Sequence, residues 1–545
     1  MDFPVAMEVL GSFDAGTSFF PLAIQIPMMS GTSKPAPAST RRNAGSSIAQ
    51  LMISTLSLFV LYRAVLDIIG PREFGIWSLV VAATSVVGLS NMGLTGSVVK
   101  HVADSHAAGD MRRLSGLIDT TVLSVGLLSV LLAVAGYPLM KLYFSATLTG
   151  DAYRSATAIL PVALVAFCLS MITGIYQSAL YGCQLIYQRN GILIFESLSF
   201  LGLSISLAPR YGLFGLVYAR AVQNILTLMV SIVVLRRNIP QLSLIPRNWT
   251  KELFKGLIGY ALNFQFISLM SMLMDPLTKG MLSRFGSLEM VTYFEMGTRL
   301  IGQARGIVVN ANQVLVPTFA MANRGAVSEV QALFLRSYSA IFFVTVCLFG
   351  LLAASLPLIS LLWLGNAQPI FINFATMLAI GWMLNTLSVP AYFACLGTGT
   401  LRIVVSSHLL MSVLNALLGC GLGILLGGYG VVTGWVIALG AGGVAMQIAY
   451  CWRGGLGLRN LVPSQGYSLI AFCCAGLLVG RLAMKEYDML HPAVFSSYSF
   501  GRIGLESLLS SGIALLGFGA IFLLPAIYHP ARRELFQWLL RRRNA

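Results

Sequence analysis

Two cations stand seven residues ahead of a glycine in otherwise apolar runs: Arg63 before Gly70 in "RAVLDIIGPREFGIW", and Lys279 before Gly286. Arg299 and Arg305 follow within the next apolar run. Charges inside such runs are costly to bury, so they face a protein interior or a watery cavity and mark candidate functional positions. A guanidinium presents a planar fork matched to phosphate oxygens, and each contact strengthens at low dielectric. Arg63, Lys279, Arg299 and Arg305 are therefore expected to form a cationic set for a phosphate or pyrophosphate group in a central cavity. A plainer reading stands beside it. Asp275/Lys279 and Glu295/Arg299 are spaced i,i+4, so each pair can neutralise itself on one helix face.

Three buried carboxylates, Asp275, Glu196 and Glu295, are candidates for coupling to an ion; Asp119 and Arg220 are further charges within apolar runs. Other chemistries lack their residues. The chain contains no G-x-x-x-x-G-K-[ST] phosphate loop and no H-E-x-x-H. Its eight cysteines show neither metal-ligand spacing with histidine nor a readable disulfide framework, and read as small apolar fillers. Of five histidines only His408 falls inside an apolar run, where a structural role is expected. No catalytic residue, metal or cofactor is assigned, and no enzymatic activity is expected.

The elements that must carry these charges are membrane helices. Of 545 residues 57% are hydrophobic and 10% charged, against roughly 25% charged in a soluble domain. Apolar runs of about 20 residues, each enough to cross some 30 Å of hydrocarbon, recur along nearly the whole chain. They lack the alternation of a membrane barrel, so the expected fold is all-α and polytopic, with about 14 transmembrane helices. Single helices are expected over, among others, 74–98, 289–316 and 370–396.

Basic residues cluster in alternate connections and in the C-terminal "ARRELFQWLLRRR", which places both termini in the cytoplasm. The net charge of +16 is thus a topology signal and a contact with anionic headgroups, not a nucleic-acid footprint.

An internal repeat organises the helices. An offset of 216 carries Arg63 onto Lys279, Gly70 onto Gly286, Glu73 onto Glu289 and Gly109 onto Gly325. Further on, "LYG" ending at Gly182 faces "CLG" ending at Gly397, and "RYGLFG" at 210–215 faces "GYGVVTG" at 428–434. Two pseudo-symmetric six-helix lobes plus two C-terminal helices follow, a common transporter plan. The boundaries read as a disordered cytoplasmic tail over 1–42, an N-lobe over 43–237, a linker over 238–255, a C-lobe over 256–453, two helices within 454–528 and a basic tail over 529–545. The Pro-interrupted start makes a poor signal peptide, and Met28 or Met29 is a competing translation start.

Residues 68–110, "IIGPREFGIWSLVVAATSVVGLSNMGLTGSVVKHVADSHAAGD", resemble the first helices of bacterial polysaccharide-transport proteins. These are the O-antigen and exopolysaccharide flippases of the multidrug/oligosaccharidyl-lipid/polysaccharide (MOP) exporter superfamily. Their "LG-x-x-x-[FY]G" turn, Gly-rich second-helix end and "GD" loop correspond to Gly70, Phe74, Gly75, Gly93, Gly96, Gly109 and Asp110, with Ile69 in place of the usual leucine.

The resemblance implies 12 to 14 helices in two lobes around a central cavity. It also implies translocation of polyprenyl-pyrophosphate-linked oligosaccharide across the bacterial inner membrane by alternating access. Expected partners are that lipid-linked glycan, membrane lipids and a polysaccharide polymerase with its chain-length machinery, the protein itself acting as a monomer. Asn263, Gln265, Asn310, Asn312 and Gln313 are the expected glycan contacts. The nearest rival is a multidrug or metabolite exporter of the same superfamily, which would favour acidic residues in the cavity. A membrane glycosyltransferase, polymerase or ligase would need an external catalytic loop, and the longest candidate, 485–502, carries no paired carboxylates. A structural scaffold gives no reason for symmetric buried cations.

Overall fold

The computed structural model describes residues 37–91, 94–243, 245–323, 327–457, 461, 464–490, 499–500, 503–529 and 532. The proposed translation starts and most of both tails lie outside them. The helices are α1 (Pro37–Thr84), α2 (Leu94–Ala107), α3 (Met111–Thr147), α4 (Gly150–Gly182), α5 (Ile186–Asn238), α6 (Lys251–Phe285), α7 (Leu288–Asn312), α8 (Leu315–Ala322), α9 (Val327–Leu364), α10 (Pro369–Thr386), α11 (Val389–Thr398), α12 (Leu401–Arg453), α13 (Ser464–Leu490) and α14 (Leu505–Tyr528). A 3-10 segment spans Ser85–Asn91, and a two-residue hairpin, Ser499–Phe500 against Ile503–Gly504, precedes α14.

Among the described residues, nine helical runs are long and apolar enough to cross a membrane. Three of them are double-length. At 1.5 Å per residue, the 53 residues of α5 would reach about 80 Å if straight, more than twice the hydrocarbon thickness. The chain instead turns back at Gly212 (φ 55°, ψ −131°), and α12 does the same at Gly427 (φ 63°, ψ −147°). Both conformations are essentially open only to glycine. The ends of the two α5 arms meet again, where the Asn238 amide donates to Gln188 Oε1 at 2.8 Å. In α1 the break is at Gly70 (φ 81°), with the Tyr62 and Phe74 rings meeting across it at 4.9 Å.

The reversals reveal the repeat directly. Three residues beyond each α5 and α12 hinge comes a glycine, Gly215 or Gly430, pressed against the carbonyl eight residues earlier, Leu207 or Leu422. Likewise Gly182 abuts the Val99 carbonyl, and Gly397 the Val316 carbonyl. The same close approaches occur twice, in the same order. They also correct the register: the counterpart of Gly212 is Gly427, not a glycine within 428–434.

Several expected helices end early, for local reasons. The span 74–98 gives way to the 3-10 segment, and α2 starts afresh where Asn91 Oδ1 accepts from the Thr95 N–H at 3.1 Å. The span 289–316 stops at Asn312 because Pro317, in the first turn of α8, has no N–H for the carbonyl of Gln313. Pro390 divides 370–396 into α10 and α11 in the same way. At the other end α1 begins at Pro37, a favoured first helical residue, so the last residues of the expected tail are helical.

The chain forms two compact units, Met1–Thr292 and Tyr293–Ala545. In the first, α1 and α4 pack on α5, and α6 packs on α1, α2 and α3. Its core brings together Val102 of α2, Ile118 of α3, Tyr176 and Leu180 of α4, Ile192 and Leu235 of α5 and Leu257 of α6. In the second, α10 packs on α12, α8 on α11, and α13 and α14 on each other and on α9.

Candidate functional site

Three of the four expected cations are answered by a carboxylate one helical turn away. In the first unit Arg63 Nε lies 3.1 Å from Asp67 Oδ2, both side chains partly exposed. Lys279 Nζ lies 2.7 Å from Asp275 Oδ2, and here burial is lopsided: the lysine side chain is 3% exposed, the aspartate 36%. In the second unit Arg299 Nε lies 2.6 Å from Glu295 Oε1, with the glutamate 4% and the arginine 12% exposed. The i,i+4 spacing brings each pair together on one helix face.

The surroundings of Lys279 are close-packed. Beside Lys279, the Tyr143 hydroxyl of α3 donates to the Pro276 carbonyl at 2.6 Å, and the same ring covers Gly280. Arg305, the remaining cation, stands 4.4 Å over the ring of Trp382. That ring continues through Trp435 to Phe294 in edge contacts of 5.6 and 5.9 Å. The ring's negative face attracts such a guanidinium.

Glu196 takes partners that sequence spacing does not suggest. Arg220 reaches it across the Gly212 reversal at 3.9 Å, and Gln177 of α4 lies beside the same carboxylate. Of the expected glycan contacts, Gln313 donates to Asn310 Oδ1 at 3.3 Å and Asn312 to the Val308 carbonyl at 2.7 Å, where α7 gives way to α8. The side chains of Asn263 and Gln265 lie outside the described residues.

Asp119 is the buried charge whose role the sequence leaves least visible. Its carboxylate, 1% exposed as a residue, accepts from the Ser243 hydroxyl and from the backbone N–H groups of Arg247 and Asn248. Thr120 beside it donates to the Asn248 carbonyl at 3.2 Å, and the Trp249 indole donates to Ser124 at 3.0 Å. The α5–α6 connection is thus stitched to α3. Among the described residues no group of three or more His, Cys, Asp or Glu gathers as metal ligands would.

Comparison places this architecture among known proteins. The family described as "Polysaccharide biosynthesis protein" matches over residues 40–323. Among curated proteins no significant sequence match is found. Similar solved structures include an inward-facing multidrug resistance MATE family transporter of the MOP superfamily, at 16% identity and TM-score 0.61, covering 79% of this chain and 97% of that one. The lipid II flippase MurJ in an inward closed conformation matches at 12% identity and TM-score 0.61, covering 89% of this chain and 99% of that one. The fold is therefore that of the MOP-type transporters.

Proposed function

The chain belongs to the polysaccharide biosynthesis protein family, and from that premise we propose a flippase for polyprenyl-pyrophosphate-linked oligosaccharide in the bacterial inner membrane. The repeat unit of an O-antigen, exopolysaccharide or capsule is the cargo, and alternating access moves it. The observation that carries this reading is the family match across α1–α8, which include the helices that hold Arg63, Lys279 and Arg299. Helices α6 and α7 complete the fourteen crossings of the proposed topology, with both termini in the cytoplasm.

The ion pairs suggest how binding and an ion gradient are joined. Lys279 is the buried partner and Asp275 the accessible one, so a pyrophosphate and Asp275 compete for one ammonium. Protonating Asp275 releases Lys279 to the anion; deprotonation takes it back and helps discharge the cargo. Glu295 and Arg299 form a second exchangeable pair, with the carboxylate rather than the cation the more buried member, and Glu196, held by Arg220, is the third coupling candidate. Arg305, over the Trp382 ring, adds a further cation, and Asn310, Asn312 and Gln313 offer amides to sugar hydroxyls. No covalent chemistry is required of the chain.

The test is mass spectrometry of polyprenyl-linked sugars in cells lacking the gene, complemented with wild type or with Arg63→Ala/Lys279→Ala. Accumulation of a complete lipid-linked oligosaccharide that only wild type clears supports the flippase and its cations. Clearance by the double variant discards the cations and keeps the flippase. No accumulation, with altered drug resistance instead, selects the multidrug or metabolite exporter, the reading favoured by the likeness to the MATE transporter.

A further inference from the structure

The two arms of α5 are joined at their ends by the Asn238–Gln188 hydrogen bond but leave a gap between them beside it. A cavity of about 450 Å³ lies between them. Its walls are Ile192 and Phe195 on the first arm and Val230 and Val234 on the second, and its mouth carries Gln188, Arg237 and Asn238. Gly191 forms part of the lining, and a Cβ built there meets nothing within 4 Å.

Three observations say what such a groove holds. First, polarity is divided along it. The apolar walls end where the helix ends, in the consecutive arginines Arg236 and Arg237, both exposed. Lys and Arg at such a position mark the level of lipid headgroups on the cytoplasmic side. Second, the mouth is braced rather than self-satisfied. Asn238 Nδ2 is spent on Gln188 Oε1 and on the Val234 carbonyl, each at 2.8 Å, and Gln188 donates on to Tyr187, whose ring carries Arg42 at 3.9 Å. Among the described residues Arg237 makes no ion pair. Third, the apolar surface continues beyond the groove on the outer face of the second arm, through exposed Val233, Met229 and Ile225.

A charged head at one end, a hydrocarbon channel behind it and an apolar surface beyond are complementary to one kind of molecule. We propose that this groove is a binding site for an anionic glycerophospholipid of the inner leaflet, its phosphate on Arg237 and one acyl chain between Ile192, Phe195, Val230 and Val234. The site sits on the outside of a single hairpin in the first unit. It is separate from the cations proposed to bind cargo, and it stands whether or not the flippase reading does. An occupant there wedges the two arms whose register the Gly212 reversal sets, so lipid composition would tune the hairpin.

The experiment is native mass spectrometry of the full-length protein in mixed micelles containing phosphatidylglycerol and phosphatidylcholine. Three forms are compared: wild type, Arg237→Gln and Gly191→Leu. The last fills the groove from a position with room for a side chain, and monodisperse elution with an unchanged melting temperature verifies that each variant is folded. Wild type is expected to retain one phosphatidylglycerol preferentially. Arg237→Gln should lower that preference about tenfold, the scale of one charge-assisted contact, and Gly191→Leu should abolish retention of either lipid at the site. Equal retention of the two lipids by wild type, undiminished retention in Gly191→Leu, or displacement of the bound lipid by equimolar undecaprenyl phosphate would each overturn the proposal.

Discussion

The carboxylate of Asp119 receives the hydroxyl of Ser243, 124 residues further along the chain, at 2.9 and 3.0 Å from its two oxygens. Together with the N–H groups of Arg247 and Asn248, at 3.3 and 3.4 Å, this fixes the connection leading into α6, the helix that bears Asp275 and Lys279. A buried carboxylate persists in such a place because the donors around it compensate its lost hydration. Removing it strands those donors at about 1–3 kcal/mol each. Asp119→Ala should therefore destabilise the protein by roughly 2–4 kcal/mol, and Asp119→Asn, which keeps one acceptor, by less. Thermal unfolding in detergent measures the difference. Hydrogen exchange should quicken first in residues 245–250; an unchanged exchange pattern there would sink the clasp.

The Lys279–Asp275 pair makes an asymmetric prediction. Because the lysine is the buried member, Asp275→Asn leaves an ammonium without its counter-charge, a loss on the order of 3–5 kcal/mol. Replacing both, as Asp275→Asn/Lys279→Met, should recover much of that stability. Under the proposed function it should not recover transport. Melting temperature and clearance of lipid-linked sugar are then read on the same variants, and a double variant that transports normally removes Lys279 from the mechanism.

The hinge glycines give a matched set. Gly212→Ala and Gly427→Ala each place a Cβ in a conformation disfavoured by about 1–3 kcal/mol, and should lower the melting temperature. Gly421→Ala, in the body of α12 with nothing within 4 Å of its Cβ, should raise stability by up to about 1 kcal/mol through helix propensity alone. All three are Gly→Ala changes, so a common sign among them would refute the backbone argument.

His101, on α2 outside the apolar spans, should make the first unit sensitive to mild acid. Partial burial lowers its pKa below the ordinary 6.5; Asp104 opposes this, while Lys100 and Arg113 reinforce it. The unfolded chain thus binds the proton at a higher pH than the folded one. Stability is fully present above about pH 6.5 and declines as pH falls below it towards the lowered folded value. Comparing melting temperatures at pH 7.5 and 5.5, the drop should be smaller in His101→Gln than in wild type.

Much of the architecture was legible because membrane helices declare themselves by apolar length, and because Gly70-Pro71 interrupts its run in plain view. The repeat was legible in order, from Gly182/Gly397, but not in register: Gly427 and Gly428 are indistinguishable as letters, and only backbone angles single out the one that turns. Intrahelical pairs such as Glu295–Arg299 follow from spacing. Glu196–Arg220, Arg305–Trp382 and Asp119–Ser243 do not, since each joins residues brought together by tertiary packing. The prolines at 317 and 390 were readable as helix breakers but lie in runs apolar enough to mask the breaks.

One property of the α5 and α12 reversals reaches into how the molecule can be handled. A turn completed at a single glycine leaves no loop. At those two ends there is nothing for a protease to nick or an antibody to grip, and no slack to receive an inserted epitope or fluorescent domain. Labels meant to report on these hairpins must be side chains on the helices themselves.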